Sequence, residues 1–186
     1  KSDPGSAVVY DLRSSKALVE EIEKHGGKPT RSRVGHVFMK KVLRESGGAF
    51  GAELSGHFYY RDNFCTDSGA ITFAQTLSIL SAQDKPLSKL IEPIARYEQS
   101  GEINFEVEDK DGMLAALEEK YGGEAEIDKL DGVTIDAFDS EGWWFNVRKS
   151  NTEPLLRLNL EAKDDATCAE KLGELKQMLG EPADGH

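Results

Sequence analysis

Residues 148–154, Arg-Lys-Ser-Asn-Thr-Glu-Pro, combine the side chains that bind a phosphate group. A phosphate dianion is bound by a bidentate guanidinium, by short hydroxyl donors and by backbone N–H groups in a tight turn. The donors here are Arg148, Ser150, Asn151 and Thr152. Because the same residue types are frequent in hairpin turns, the segment predicts a phosphate-binding loop, with an ordinary polar turn as the alternative.

A second polar segment lies earlier in the chain, where Glu53, Ser55 and His57 alternate with small or apolar residues. On an extended strand, the three side chains would point to one face. A carboxylate beside a hydroxyl and an imidazole suits the vicinal hydroxyls of a sugar, and Gly56 allows a ligand to approach the backbone. Two alternatives stay open. Glu53 can belong to a buried polar cluster with an arginine, or it can join His57 and His36 as metal ligands, although the spacing matches no standard zinc motif.

Two β-α units in the first half of the sequence predict a parallel α/β layer. Arg13 directly follows the first strand and His36 begins the second helix. Both therefore belong to the carboxyl edge of the predicted sheet, where α/β proteins usually bind ligands. Taken singly, Arg13 also fits a solvated loop cation and His36 a helix cap. The units comprise strands at 7–10 and 29–34 and helices at about 14–25 and 35–45.

After about residue 100 the pattern changes to short alternating strands joined by tight turns, followed by an amphipathic helix. This pattern predicts an antiparallel sheet covered by helices. The fold class is therefore an incomplete parallel α/β unit, residues 1–98, followed by a small antiparallel-sheet α+β domain, residues 99–186. The strands of the second domain are predicted at 103–107, 133–138, 143–147 and 155–160, and its helices at 112–121 and 164–179.

Two further patterns predict packing. Residues 67–80 predict a helix with an acidic N-terminal cap and a buried apolar face that includes Leu77 and Ile79. Trp143 and Trp144 are neighbours on a predicted strand, so their side chains point to opposite faces. One indole is expected in the core and the other at a surface or domain contact.

Composition excludes several classes of protein. With 186 residues and 38% hydrophobic content the chain can bury a core. A net charge of −11 disfavours binding to nucleic acid and to anionic membranes. Cys65 and Cys168 are too few for a disulfide framework or a multi-cysteine metal site. No apolar run approaches the roughly 20 residues that span a bilayer, and we expect a cytoplasmic protein.

The two polar segments, in this order, resemble those of the α-D-phosphohexomutase superfamily. Residues 51–57, Gly-Ala-Glu-Leu-Ser-Gly-His, resemble its sugar-specificity loop, although Ala52 replaces the usual glycine. Residues 148–154 resemble its C-terminal phosphate loop. Residues 9–13, together with Gly35-His36 at a helix start, resemble the third domain of bacterial phosphomannomutase/phosphoglucomutase enzymes.

The resemblance implies a function for the longer parent enzyme. It would be an isomerase that interconverts hexose 1-phosphate and hexose 6-phosphate, of mannose and/or glucose, through a bisphosphate intermediate. Residues 1–98 and 99–186 would be its domains three and four. Glu53 and Ser55 would hold sugar hydroxyls, with His57 adjoining them, and Arg13 and His36 would also contact the substrate. The non-transferred phosphate would be held by Arg148, Ser150, Asn151 and Thr152.

The family's phosphoserine and its aspartate-rich Mg²⁺ loop have no counterpart in this sequence, which contains neither Ser-His-Asn-Pro nor Asp-x-Asp-x-Asp-Arg. We therefore expect no catalytic residue and no bound metal in this chain, and the Mg²⁺ of the parent would have its ligands elsewhere. The chain would be a substrate-binding fragment, inactive alone. Its expected partners are hexose phosphates and the N-terminal domains of the same enzyme, with no nucleic acid and no membrane.

Two other functions also fit parts of the sequence. The first is a stand-alone phosphosugar-binding module that catalyses no reaction. The second is a structural interaction domain, which an exposed tryptophan would favour. Replacing Arg148 with alanine should leave stability nearly unchanged if Arg148 serves ligand binding, whereas a large loss of stability would favour the structural domain.

Overall fold

The structure is a computed structural model that describes residues 3–123, 125–150 and 153–183. The chain divides into two compact units, Lys1–Arg96 and Tyr97–His186. The first unit combines parallel strands with helices and the second is built on an antiparallel sheet. The predicted fold class is confirmed.

The first unit contains a five-stranded sheet in the order β2-β1-β3-β4-β5. The first three strands of this order are parallel, and the last two extend the sheet in antiparallel pairing. The strands are β1 (Ala7–Asp11), β2 (Lys28–Ser32), β3 (Phe50–Ala52), β4 (Phe58–Tyr60) and β5 (Thr66–Asp67). The helices are α1 (Lys16–Lys24), α2 (His36–Glu45), α3 (Gly69–Ser81) and α4 (Leu87–Ile91).

Local sequence signals explain the two β-α units. Ser15 caps α1 by accepting a hydrogen bond from the Ala17 N–H group, as a serine at a helix start should. Val9 lies in the centre of β1, fully buried, between Thr30 of β2 and Gly51 of β3. Because the three strands run in the same direction, the residues that follow them are brought to one edge of the sheet.

A small apolar cluster fixes α2 against the sheet. Its buried members are Val9 on β1, Met39 and Leu43 on α2, Tyr59 on β4, and Cys65. Met39 and Leu43 are four residues apart and therefore lie on one face of the helix. This packing holds the start of α2 above the edge of the sheet.

The α3 helix departs from the predicted packing. Ser68 caps it, accepting from the Ile71 N–H group, so the expected acidic cap is wrong. None of its residues is buried, and Phe73, Leu77 and Ile79 are all largely exposed, Phe73 at 66%. The expected burial is therefore wrong as well. A sequence pattern marks which residues are apolar, whereas burial requires a partner surface, and none covers these residues within the described chain.

The second unit is a five-stranded antiparallel sheet in the order β6-β10-β9-β8-β7. Two helices contribute Leu117 and Leu175 to a core that includes Phe145 and Leu158 from the central strands. The strands are β6 (Glu98–Phe105), β7 (Glu126–Asp128), β8 (Val133–Ala137), β9 (Trp143–Lys149) and β10 (Leu156–Ala162). The helices are α5 (Lys110–Tyr121) and α6 (Asp165–Leu179).

Both tryptophans of β9 are buried. Trp143 belongs to the apolar core, and its indole N–H donates to Glu141 at 2.9 Å. Trp144 donates to Glu161 on the neighbouring strand at 2.9 Å. Each indole thus satisfies its polar group within the unit. The hypothesis of a structural interaction domain was based on an exposed tryptophan. Neither tryptophan side chain is exposed.

Candidate functional site

Three loops lie at the carboxyl edge of the parallel strands and are joined by hydrogen bonds. Arg13 follows β1, Gly35 and His36 follow β2, and Glu53 follows β3. The Leu54 N–H group donates to Asp11 and the Gly35 N–H group donates to Glu53. The structure therefore brings the backbone of all three predicted binding segments together.

Residues 53–57 form a tight turn rather than an extended strand. The Glu53 N–H group donates to the His57 carbonyl oxygen at 2.9 Å, and the Gly56 N–H group donates to the Glu53 carbonyl oxygen at 2.9 Å. Gly56 adopts a φ of 85°, which favours glycine. The expectation that Glu53, Ser55 and His57 share one strand face is wrong, because the chain reverses between them. Glu53 is buried, whereas Ser55 and His57 are exposed.

The Glu53 carboxylate is bound from two sides. Glu53 is buried, with only 6% of its surface exposed. Oε1 accepts from the Gly35 N–H group at 2.7 Å, and Oε2 accepts from the Tyr59 hydroxyl. The sequence left open, as an alternative, that Glu53 pairs with an arginine in a buried polar cluster. Its partners in the structure are instead the Gly35 N–H group and the Tyr59 hydroxyl. Because each carboxylate oxygen has two lone pairs, both oxygens keep the capacity to accept one more hydrogen bond.

Asp11 connects Arg13 with the turn at 53–57. Its Oδ1 accepts from the Arg13 N–H group at 2.8 Å, and its Oδ2 accepts from Arg13 Nη2 at 2.7 Å and from the Leu54 N–H group at 2.9 Å. Asp11 is fully buried and Arg13 nearly so, which rules out a solvated loop cation. Sequence reasoning missed Asp11. Its position at the end of β1, two residues before an arginine, was the available signal.

His57 is paired with an acidic residue of β5. Its Nδ1 lies 2.7 Å from Asp67 Oδ2, and Asp67 Oδ1 accepts from the Phe58 N–H group at 2.9 Å. The hydrogen bond with His57 is the main reason that the pKa of Asp67 lies below its ordinary value. Asp67 thus orients the imidazole instead of capping α3. His36, the first residue of α2, is exposed beside the same edge of the sheet.

The lowered pKa of Asp67 predicts a pH-dependent contribution to stability. The contribution is present above the ordinary aspartate pKa of about 4 and is lost as the pH falls through the lowered value. Replacing Asp67 with asparagine should cost no more than about 1 kcal/mol at neutral pH, because the pair is partly exposed. Urea unfolding at a series of acidic pH values should show that the difference in free energy of unfolding between the unchanged chain and Asp67→Asn becomes smaller as the pH falls. Asp62→Asn, at an exposed position, is the control, and a difference that does not change with pH would contradict the assignment.

The predicted phosphate-binding segment, residues 148–154, begins inside a strand rather than in a loop. Arg148 belongs to β9, is 2% exposed, and pairs through Nη2 with Glu102 Oε2 at 3.0 Å. After β9, the Ser150 N–H group donates to the Leu155 carbonyl oxygen and the Glu153 N–H group donates to Ser150 Oγ. The chain therefore turns at this point, as predicted. Asn151 and Thr152 lie outside the described residues.

A second arginine, which sequence reasoning missed, lies beside Arg148. Arg157 on β10 is directly opposite Arg148 in the strand register. It binds Glu102 Oε1 at 3.0 Å and Glu153 Oε2 at 2.6 Å. Each oxygen of the Glu102 carboxylate thus faces one guanidinium. Strands β9 and β10 thus place two guanidinium groups side by side. In the structure these groups are paired with the carboxylates of Glu102 and Glu153.

Gly132 allows the chain to pass closely over this strand. It has a φ of 68°, and a Cβ atom there would lie 2.2 Å from the Val147 carbonyl oxygen and 2.6 Å from the Arg148 Cα atom. No other residue fits without moving the backbone that carries Arg148.

The alternative of a metal site finds no support in the geometry. Within the part of the chain that the structure describes, no three His, Cys, Asp or Glu side chains converge as metal ligands. Glu53 is bound to Gly35 and Tyr59, and His57 to Asp67. Among residues 3–123, 125–150 and 153–183, no helix has the length and apolar character needed to cross a bilayer.

Comparison with known proteins accounts for nearly the whole chain. The family model "Phosphoglucomutase/phosphomannomutase, alpha/beta/alpha domain III" matches residues 1–97. The chain belongs to the phosphoglucomutase/phosphomannomutase family. A second model, the C-terminal domain of the same family, matches residues 102–176. The resemblance stated from the two motifs is confirmed.

Relatives in the phosphoglucomutase/phosphomannomutase family are longer than this chain. It is 41% identical over 179 residues to the phosphomannomutase of Methanocaldococcus jannaschii, a match that covers 96% of the chain and 39% of the relative. The phosphomannomutase of Escherichia coli K12 is 34% identical over 91% of the chain and 37% of its own length. The chain therefore spans about two fifths of the relatives it matches.

Solved structures of the family share the fold. A phosphoglucomutase/phosphomannomutase family protein from Burkholderia thailandensis superposes with a TM-score of 0.81 at 29% identity, covering 95% of this chain and 37% of that one. A Thermus thermophilus protein described as a putative phosphomannomutase gives a TM-score of 0.65 at 18% identity, covering 95% and 37%. The second likeness concerns the fold alone.

Proposed function

We propose that this chain binds hexose phosphates as domains III and IV of a longer phosphohexomutase. The parent enzyme would interconvert the 1-phosphate and 6-phosphate of mannose and/or glucose through a bisphosphate intermediate. The observation that carries the proposal is the buried network in which Asp11 and Glu53 join the three edge loops. Such a network holds binding groups in place before the ligand arrives, which reduces the entropy lost on binding.

Each predicted residue of the first unit would have a distinct role. Glu53 would accept hydrogen bonds from sugar hydroxyls through the remaining lone pairs of its two oxygens. Ser55 and His57, exposed on the same turn, would bind neighbouring hydroxyls or phosphate oxygens. Arg13 and His36 would contribute donors from the adjacent loops. Because the two orientations of the sugar in a mutase must both be accepted, binding groups on one fixed edge suit the reaction.

The second unit would bind the phosphate that is not transferred. Arg148 and Ser150, with Asn151 and Thr152, are the proposed donors. Glu102 contacts Arg148 in the structure, so an incoming phosphate would compete with this carboxylate for the guanidinium. A phosphate dianion carries more charge and more acceptor oxygens than a carboxylate, which favours the exchange.

The reaction itself would depend on groups from the rest of the parent. A phosphoserine and Mg²⁺ belong to the family mechanism implied by the resemblance. The described residues do not fit a Mg²⁺ site, because no three His, Cys, Asp or Glu side chains converge among them to supply carboxylate ligands. We therefore assign no phosphotransfer step to this chain. Its contribution would be to position the substrate and to neutralise its charge.

Exposed apolar residues support the proposed partnership with the N-terminal domains. Phe73, Leu77 and Ile79 of α3, with Leu87 and Ile91 of α4, are exposed large hydrophobic side chains in the first unit. Large apolar side chains that are exposed in such numbers are typical of surfaces that contact another protein domain. A stand-alone phosphosugar-binding module accounts for the binding residues but not for this surface. A cytoplasmic location stays a prediction from the sequence.

Titration with glucose 1-phosphate tests the proposed binding. Amide signals of residues 53–57 and of Ser150 should shift at millimolar ligand in the unchanged chain. Glu53→Gln should weaken the response of the 53–57 turn by about tenfold, since a hydrogen bond to a charged acceptor contributes roughly 1.5 kcal/mol or more. The chain alone should show no mutase turnover.

The matched control is Glu45→Gln, which removes one charge from the same unit at the exposed end of α2. It should bind glucose 1-phosphate like the unchanged chain. If neither residues 53–57 nor Ser150 show amide shifts at millimolar glucose 1-phosphate, the proposed binding is refuted. Turnover by a preparation free of the full-length enzyme would show that catalytic groups lie in this chain.

A further inference from the structure

Tyr59 holds a position that fixes its hydroxyl. It lies in the middle of β4 and is fully buried in the cluster formed with Val9, Met39, Leu43 and Cys65. Strand pairing with Gly51 on one side and Asp67 on the other holds its backbone. Because packed aromatic rings in a core do not change rotamer freely, the direction in which the hydroxyl projects is set by the sheet.

The hydroxyl of Tyr59 donates to Oε2 of Glu53, while the Gly35 N–H group donates to Oε1. The two donors belong to different elements, one to β4 and the other to the loop before α2. Together they fix the plane of the carboxylate. Burial and the neighbouring Glu53 carboxylate raise the pKa of Tyr59, so the phenol keeps its proton and acts as a donor.

We propose that Tyr59 is a positioning residue for sugar recognition, which orients the Glu53 carboxylate so that each oxygen offers its remaining lone pair to one of two adjacent ring hydroxyls. This inference rests on the proposed function and assigns to it a residue outside the binding motif. The ligand class follows from the chemistry. An acceptor pair whose plane is fixed favours a sugar with two free vicinal hydroxyls, because two adjacent donors can then satisfy both oxygens.

The neighbouring tyrosine provides a matched control. Tyr60 is also buried, and its hydroxyl lies 2.9 Å from Thr72 Oγ1, away from Glu53. Tyr59→Phe and Tyr60→Phe each remove one hydroxyl from adjacent residues of β4 and leave the ring in place. If both hydroxyls are merely structural, the two variants should differ from the unchanged chain only in stability.

The decisive measurement compares two ligands. Tyr59→Phe should weaken the binding of glucose 1-phosphate about fivefold, the effect of losing one ordinary hydrogen bond that orients an acceptor. Tyr60→Phe should bind glucose 1-phosphate as the unchanged chain does. Inorganic phosphate, which lacks ring hydroxyls, should bind all three proteins equally. Amide shifts of residues 53–57 and of Gly35 report on the site, and urea unfolding reports on stability.

The outcomes separate this inference from the proposed function. Equal affinity of Tyr59→Phe and the unchanged chain for glucose 1-phosphate would overturn the positioning role and leave the proposed function standing. If the amide signals of the unchanged chain do not respond to glucose 1-phosphate, both the positioning role and the proposed function are overturned. If Tyr59→Phe does not fold, 3-fluorotyrosine at position 59 keeps the ring and alters the acidity of the hydroxyl. It should then change the affinity for glucose 1-phosphate but not for phosphate, and an unchanged affinity would refute the role.

Discussion

Replacing Arg148 with alanine is expected to lower the free energy of unfolding of the second unit by about 3 kcal/mol, the usual result of removing one member of a buried ion pair. Arg148 lies within β9, is 2% exposed, and pairs with Glu102. The substitution removes a large buried side chain and takes a cation from the Glu102 carboxylate. The sequence alone suggested that stability would be nearly unchanged if Arg148 served only ligand binding. Its burial means that a loss of stability does not exclude phosphate binding.

Arg157→Ala is the matched control. Arg157 binds the other oxygen of the same Glu102 carboxylate but is 22% exposed at its side chain. Its removal should therefore cost less, about 1 kcal/mol, as for a pair near the surface. Fluorescence of Trp143 and Trp144, both in β9, reports the urea unfolding of this unit.

A double-mutant cycle isolates the ion pair. Glu102→Gln in the Arg148→Ala background should cost less than in the unchanged chain, because the carboxylate has already lost one cation. Equal costs in both backgrounds would show that Arg148 and Glu102 do not interact. Arg148→Ala with unchanged stability would contradict the buried pair altogether.

Replacing Asp11 with alanine should also lower the free energy of unfolding, in the first unit, by about 3 kcal/mol. Asp11 is fully buried and accepts two hydrogen bonds from Arg13 and one from the Leu54 N–H group. Its loss would take an anion from a buried guanidinium and an acceptor from the 53–57 turn. The response of that turn to glucose 1-phosphate should be lost at the same time, because two binding loops would lose their common support.

Circular dichroism during urea unfolding measures the stability effect, since both tryptophans belong to the other unit. Faster hydrogen exchange at the Leu54 amide should accompany it. Asp62→Ala, which removes an exposed aspartate of the same unit, should leave both quantities unchanged. Normal ligand response in Asp11→Ala would show that the loops do not depend on Asp11.

Short-range patterns were sufficient for the elements of this protein. Apolar periodicity and the glycines after α1 and α2 predicted both β-α units, and alternating segments predicted the central strands of the second unit. The two β-α units also predicted the parallel pairing of β1 and β2. These predictions held because helix and strand formation depends largely on neighbouring residues.

The same reasoning failed where a short pattern had two structural meanings. The alternation of Glu53, Ser55 and His57 indicated a strand, but a turn at Gly56 separates the side chains. The apolar face of α3 indicated burial, which depends on a surface outside the helix. The residues within each segment do not determine whether residues 53–57 form a strand or a turn, or whether another surface covers α3.

The sequence by itself determined the family motifs, the order of the elements and the edge of the sheet that carries Arg13 and His36, but not the position of Glu53 beside them. Only the tertiary structure decided how these groups are held. The Leu54 amide reaches Asp11 across 43 residues, and the Gly35 amide reaches Glu53 across 18. The physical reason is that a buried carboxylate takes its donors from whichever elements pack around it, and those elements are distant in the sequence.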